Sequence, residues 1–254
     1  MTTLYTEAAK ELLSRRVAGT KAPRLAENIR PTTLEEALQT QAAMIELKNG
    51  AVGGWKCLNP LAEDKYIVAP IFADSVHSGD TCELFMDNGA ARIEPEIGFK
   101  LGKDLPANAE GYTEEQINDA IGSCHMALEL MQARFAADSD AEFNEKLADC
   151  MVNQGLFVGP EIAREKAFDA AKVNVTVTQG DNVQNFDGTH PNESAQSPVY
   201  WLINFMTRRG VTFKAGETII TGSYCGIVEV EFDKPTTVNY AGIGEYQVVF
   251  NAKA

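Results

Sequence analysis

Two periodicities divide the chain. Between residues 3 and 50, apolar positions recur at helical spacing. Leu4, Ala8, Leu12 and Leu13 form one such run, and a second follows Pro31, with Thr32 and Thr33 available as caps ahead of Glu35 and Glu36. Gly50 to Gly54 breaks that pattern. From about Cys82 the period falls to two and strand signals dominate, over Arg92 to Leu101, Val173 to Val177, Glu217 to Thr221, Ile227 to Phe232 and Tyr246 to Phe250. Helices interrupt at three places. Thr113-x-x-Gln116 fits a capping box for a helix running to about Ile121. Residues 142 to 149 read as a short helix. Pro198 to Arg209 carries Val199, Leu202, Ile203 and Met206 on one face, and Gly210 stops it. The pattern predicts a small helical N-terminal part and a larger, mainly β part. Too few helices separate the late strands for an all-parallel α/β fold.

Composition narrows the partners. The 254 residues carry a formal charge of -14, which argues against nucleic acid, because phosphate binding needs clustered Lys and Arg. The same acidity repels an anionic substrate, so a site for one needs a locally positive centre, which a metal ion supplies. Five scattered cysteines (Cys57, Cys82, Cys124, Cys150, Cys225) form no CxxC pair, and His77, His125 and His190 complete no zinc-like spacing. Free thiols in a reducing cytoplasm are expected. Met1 to Glu7 shows no basic segment leading into an apolar one, and no apolar run approaches ~18 residues, so neither export nor a membrane span is indicated.

The candidate chemistry lies in carboxylates. In Arg92-Ile93-Glu94-Pro95-Glu96-Ile97-Gly98-Phe99, alternation puts the apolar residues on one face and Glu94 and Glu96 together on the other, where one cation can bridge them. Glu229-Val230-Glu231 has the same spacing, so spacing alone does not mark a site. Glu129 says more. It sits in the apolar run Met126-Ala127-Leu128-Glu129-Leu130-Met131, where an unpaired carboxylate is costly to bury; a metal, a partner such as Arg134, or a surface position on an amphipathic element would each accommodate it. Three carboxylates without His or thiolate make a hard oxygen site, which favours Mg²⁺ or Mn²⁺ over zinc.

Four segments in order carry a resemblance: Gly54-Trp55-Lys56, Arg92-Ile93-Glu94-Pro95-Glu96-Ile97, Ala127-Leu128-Glu129-Leu130 with Arg134, and Lys214-Ala215-Gly216-Glu217-Thr218-Ile219-Ile220-Thr221-Gly222-Ser223. Together they resemble the 2-keto-4-pentenoate hydratase and 4-oxalocrotonate decarboxylase branch of the fumarylacetoacetate hydrolase superfamily. The resemblance implies an α+β fold: a mixed β-roll over residues 81–254 carrying the site, after a smaller helix-rich region over residues 1–80. It implies Glu94, Glu96 and Glu129 as ligands of Mg²⁺ or Mn²⁺, Lys56 as the catalytic lysine, substrate contacts from Asp74 and Ser223, and a homo-oligomer. Arg92 and Arg134 are candidates to bind a substrate carboxylate bidentately or to balance the acidic cluster.

The chain departs from the family pattern in its loops. Pro70-Ile71-Phe72-Ala73 has Ile71 where an acidic residue is common, with Asp74 displaced by three. A typical Ala-Asp-Asn-x-Ser stretch reads Ala148-Asp149-Cys150-Met151-Val152, and a Gly-rich loop becomes Thr189 to Pro198, with His190 a loop histidine or a mobile acid or base. The activity implied is hydration of a 2-hydroxy-dienoate or 2-oxo-enoate, a small anionic substrate that chelates the ion through a C1 carboxylate oxygen and the C2 oxygen. The alternatives are a 2-oxo-acid decarboxylase, an acylpyruvate C–C hydrolase, and a metal-binding homologue without catalysis.

Overall fold

The computed structural model describes residues 3–63 and 65–254. Met1 and Thr2, part of the N-terminal stretch read above for a leader, lie outside them. The helical pattern at the start resolves into two helices, α1 (Thr3–Ser14) and α2 (Leu34–Leu47). They are not continuous: residues 15–33 contain Pro23 and Pro31, which have no backbone N–H to donate. Thr33 caps α2 with a full capping box, its hydroxyl accepting from Glu36 N–H at 3.2 Å while Glu36 accepts from Thr33 N–H at 3.1 Å. The helices bury Ala8, Ala9, Leu12, Ala37, Ala43 and Met44 in one shared cluster.

The rest of the chain is mostly strand. In order it forms β1 (Val52–Cys57), β2 (Val68–Phe72), β3 (Val76–His77), β4 (Thr81–Leu84), β5 (Ala91–Leu101), α3 (Glu114–Ala120), β6 (Ile121–Met131), α4 (Phe143–Ala148) and β7 (Asn153–Ile162). There follow α5 (Arg164–Phe168), β8 (Val175–Gln179), β9 (Asn182–Phe186), α6 (Ser197–Thr207), β10 (Thr218–Ile220), β11 (Val228–Val230), β12 (Pro235–Tyr240) and β13 (Gly244–Ala252). One mixed sheet runs β2-β1-β10-β5-β6-β7-β3, with β11 also paired to β5, and a second runs β4-β13-β12-β8-β9. Among the described residues no helix is long and apolar enough to cross a membrane.

This is the expected α+β fold with a mixed, curled β-roll, and the three predicted later helices are all present. The sheet pairing nevertheless crosses the 80/81 division: β1, from the helix-rich region, pairs parallel with β10, and β2 pairs with β1. Two glycines permit that arrangement at β1. A Cβ on Gly54 would lie 2.3 Å from Thr218 O, and one on Gly53 2.9 Å from the Ala73 backbone. The inner faces of both sheets share one core, in which Ile93, Ile97, Phe99 and Leu128 meet Val238, Val248 and Phe250. Tyr240 fastens them at the level of the acidic cluster, with its hydroxyl 3.0 Å from Glu96 O and 2.9 Å from Ala127 O.

Candidate metal centre

Register builds the acidic cluster. β5 and β6 are antiparallel with Glu94 directly opposite Glu129, and Glu96 opposite Ala127. Glu94 and Glu96 are two apart on one face, and Glu129 faces Glu94 across the ladder, so all three carboxylates converge. An oxygen from each lies within 4.8 Å of the others. Glu96 is 2% and Glu129 1% exposed, whereas Glu229 and Glu231, the pair with the same spacing, are solvated.

Lys56 joins them. Its Nζ is 2.6 Å from Glu129 Oε1. In sheet order three strand spacings separate β1 from β6, roughly 14 Å if the sheet were flat. The curl of the roll is therefore what brings the lysine to the carboxylates. Further donors fix the acids: Asn153 Nδ2 donates to Glu129 Oε1 at 2.8 Å, and Gly222 N–H donates to Glu96 Oε2 at 2.5 Å.

The electrostatics follow from crowding in a desolvated place. Burial and the Glu129 carboxylate push Glu94 up to about 7, against the pull of Lys56 and Arg92. Burial, then Glu129 and Glu94, holds Glu96 well above the usual carboxylate range. Burial by itself lowers Lys56, but the attraction of Glu129, Glu94 and Glu96 outweighs it and the ammonium is favoured. The cluster has three acids and one cation.

These groups line a cavity of about 370 Å³. Ser223 also lines it, with its hydroxyl within 3.3 Å of Pro95 O and 3.2 Å of Gly226 O. The other substrate contacts expected from the sequence lie apart from the residues that line the cavity. Arg134 is fully buried and spent elsewhere: Nε donates to both Asp149 oxygens at 3.0 and 2.9 Å, and Nη2 to Asp149 O and Asn153 O. Arg92 Nη1 donates to Asp87 at 2.8 Å, and its Nε lies 3.4 Å from Glu229, outside the cavity wall. Asp74 is an exposed partner of Lys48. His190 lies outside the wall: it is buried, accepts from Asn192 N–H at 3.0 Å through Nδ1, and lies 3.4 Å from Thr221 Oγ1 through Nε2. Burial lowers the pKa of His190.

Sequence reading missed Asn153 and Gly222 as a donor, and it marked Cys150-Met151-Val152 only as part of an altered loop. That segment has φ of 59°, 49° and 61° at three successive non-glycine residues, one of them β-branched. Each left-handed residue of this kind costs roughly 1–2 kcal/mol. Arg134 offsets the strain by gripping carbonyls on both sides of the turn, and Gln132 N–H donates to Val152 O at 2.8 Å. Met151 and Val152 line the cavity, Met151 also packs against the cluster of the two N-terminal helices, and its carbonyl lies 3.4 Å from Lys56 Nζ.

Comparison with known proteins gives similar sequences and similar folds. The chain is 28% identical over 163 residues to a 2-keto-4-pentenoate hydratase of Paraburkholderia xenovorans, covering 63% of this chain and 59% of that protein. It thus spans about three fifths of the length of the first relatives it matches. A 2-hydroxyhexa-2,4-dienoate hydratase of Comamonas testosteroni is 26% identical over 253 residues and 92% of each chain. Among solved structures, the 4-oxalocrotonate decarboxylase of Pseudomonas putida G7, complexed with magnesium and adipate, superposes with a TM-score of 0.74 over 97% of both chains at 19% identity. The same enzyme has also been solved with calcium and acetate. No protein-family profile matches the chain.

Proposed function

We propose, from a chain that resembles the hydratase and decarboxylase branch of the fumarylacetoacetate hydrolase superfamily and has its fold, that this protein is a divalent-metal-dependent hydratase acting on a 2-hydroxy-dienoate or 2-oxo-enoate. The observation that carries the reading is the convergence of Glu94, Glu96 and Glu129 beside Lys56 in the wall of a cavity. The donor set fits a hard cation. It consists of oxygens only, it has more negative than positive charge, and two of its acids are disfavoured as anions while they face one another. Mg²⁺ or Mn²⁺ is the proposed ion, held by those three residues.

When bound, the ion would supply Lewis-acid stabilisation of charge on the C2 oxygen of the substrate. The residues of the chain do the rest. Asn153 orients Glu129 and Gly222 orients Glu96, so neither acid has to search for its position. Lys56, 2.6 Å from Glu129, is placed to move a proton or to neutralise a substrate carboxylate. A homo-oligomer is part of the same proposal and is read by light scattering.

The test is loss of dienoate absorbance with added Mg²⁺ or Mn²⁺, beside an EDTA control. Hydration consumes the dienoate without releasing CO₂ or an acid. CO₂ release instead would indicate the decarboxylase, and pyruvate from acylpyruvates the C–C hydrolase. Metal binding with no turnover of any of these would overturn the enzymatic reading.

A further inference from the structure

β1 serves two cavities. Neighbouring residues of a strand face opposite ways, and Trp55 and Lys56 do so here: Lys56 lines the cavity of the acidic cluster, while Trp55 lines a second cavity of about 350 Å³. β10, parallel to β1, repeats the division. Gly222, two residues beyond its end, donates to Glu96, whereas Glu217, immediately before it, lines the second cavity. The two cavities share strands but no lining residue.

The second cavity lies between α2, β1 and the stretch that joins α6 to β10, and its wall is mostly apolar, with Leu38, Ile45, Val52, Met206 and Val211 beside Trp55. Glu217 breaks that wall. It is 6% exposed, and its Oε2 accepts from Trp55 Nε1 at 2.9 Å. Lys214, the one basic side chain in the wall, is exposed and paired with Asp104 at 2.9 Å, and no ion pair reaches Glu217 among the described residues. A carboxylate buried without a counter-ion is costly, so burial pushes Glu217 up to about 7 against the pull of the indole and of the Lys214 backbone N–H. Gln41, also buried, adds an acceptor: its Nε2 donates to Val68 O and Leu147 O, so the amide oxygen is what the side chain still offers. An anion entering this cavity meets a carboxyl, and a plain hydrocarbon leaves that carboxyl without a counter-charge. An organic ammonium supplies both the donor hydrogens and the counter-charge, while its apolar body displaces water.

We propose that this second cavity is a binding site for a small primary ammonium with an apolar body, with Glu217 as its counter-ion and Trp55 in its wall. Occupancy of the site does not depend on the reaction or the metal proposed above.

Phenethylammonium is the probe, with 2-phenylethanol and 3-phenylpropanoate as neutral and anionic counterparts of similar size. The chain has two tryptophans, so Trp201→Phe leaves Trp55 as the sole indole reporter. In that background, with Mg²⁺ present, phenethylammonium should change the Trp55 emission saturably; calorimetry on the unaltered chain reads the same affinities. At pH 8.5 the ammonium should bind at least about tenfold more tightly than the alcohol, and the carboxylate should bind weakest. Glu217→Gln should abolish the preference for the ammonium while the alcohol still binds. A pH series needs no variant at Glu217: affinity for phenethylammonium should fall about tenfold from pH 8.5 to pH 6, as protonation near 7 removes the counter-charge. The other charged groups about the carboxyl are Glu46, Asp104 and Lys214, and the alcohol, measured in parallel, carries no charge for them to act on. Absence of saturable binding, equal affinity for ammonium and alcohol, or a pH-independent ratio between them would overturn the proposal. So would unchanged affinity for the ammonium in a folded Glu217→Gln, which would place the bound molecule elsewhere.

Discussion

Lys56 Nζ and Glu129 Oε1 are 2.6 Å apart, with Lys56 9% and Glu129 1% exposed, so the cation of the cluster is paired with the acid most deeply enclosed. A divalent ion seeking Glu129 therefore meets an ammonium already beside it. The pair keeps the metal-free cluster tolerable, and its partial neutralisation is what a metal would complete.

Removing that ammonium should be costly without metal. Lys56→Met is expected to lose about 3–5 kcal/mol of stability in EDTA, because it leaves a buried carboxylate unpaired among two others. Urea unfolding checks this. Added Mg²⁺ should recover more stability in the variant than in the wild type; a variant as stable as wild type in EDTA would remove the pair from the account.

Arg134 is expected to be structural. Arg134→Ala should destabilise by about 3–5 kcal/mol, since it strands Asp149 in the core and frees the carbonyls that hold the left-handed turn. A double-mutant cycle with Asp149→Asn, followed by denaturant melts, should show strong coupling between the two. Additive effects would mean that the turn is held by something else.

Glu217 gives a pH signature away from the metal centre. It is 6% exposed, accepts from Trp55 Nε1 at 2.9 Å, and burial raises its pKa to about 7. A carboxyl with a folded pKa above its unfolded value contributes stability that is full below about 4.5 and is lost as pH rises through about 7. Glu217→Gln keeps an acceptor for the indole and removes the titration. Relative to wild type, it should gain about 1–2 kcal/mol between pH 5 and pH 8, a figure reduced for the carboxyl's access to a solvent-open pocket. Thermal melts at both pH values measure it, and a parallel shift of variant and wild type would refute it.

How much was legible varies with the physics. The capping boxes at Thr33 and Thr113 and the alternation of Arg92 to Leu101 are local, so the sequence showed them. β6 was visible only as an apolar run, because a strand buried on both faces loses its alternation. β1 was hidden by Gly53 and Gly54, whose role is close approach to neighbouring backbone that only the fold reveals. The acids were found as types, yet the register pairing Glu94 with Glu129 is non-local. Arg134 was misjudged for the same reason: its partner, Asp149, lies beyond a helix, and nothing near it in sequence marks the pairing. The left-handed turn left no trace, since Cys150, Met151 and Val152 are poor candidates for positive φ.

The central claim is that Glu94, Glu96 and Glu129 hold one divalent ion, and Mn²⁺ titration by calorimetry at pH 8 tests it most directly. The wild type should bind one ion per chain, more weakly at pH 6, because protons compete for acids whose pKa is raised. Glu129→Gln should retain the fold by circular dichroism and bind Mn²⁺ at least about 100-fold more weakly. Wild-type affinity in Glu129→Gln, or no Mn²⁺ binding by the wild type, would contradict the claim.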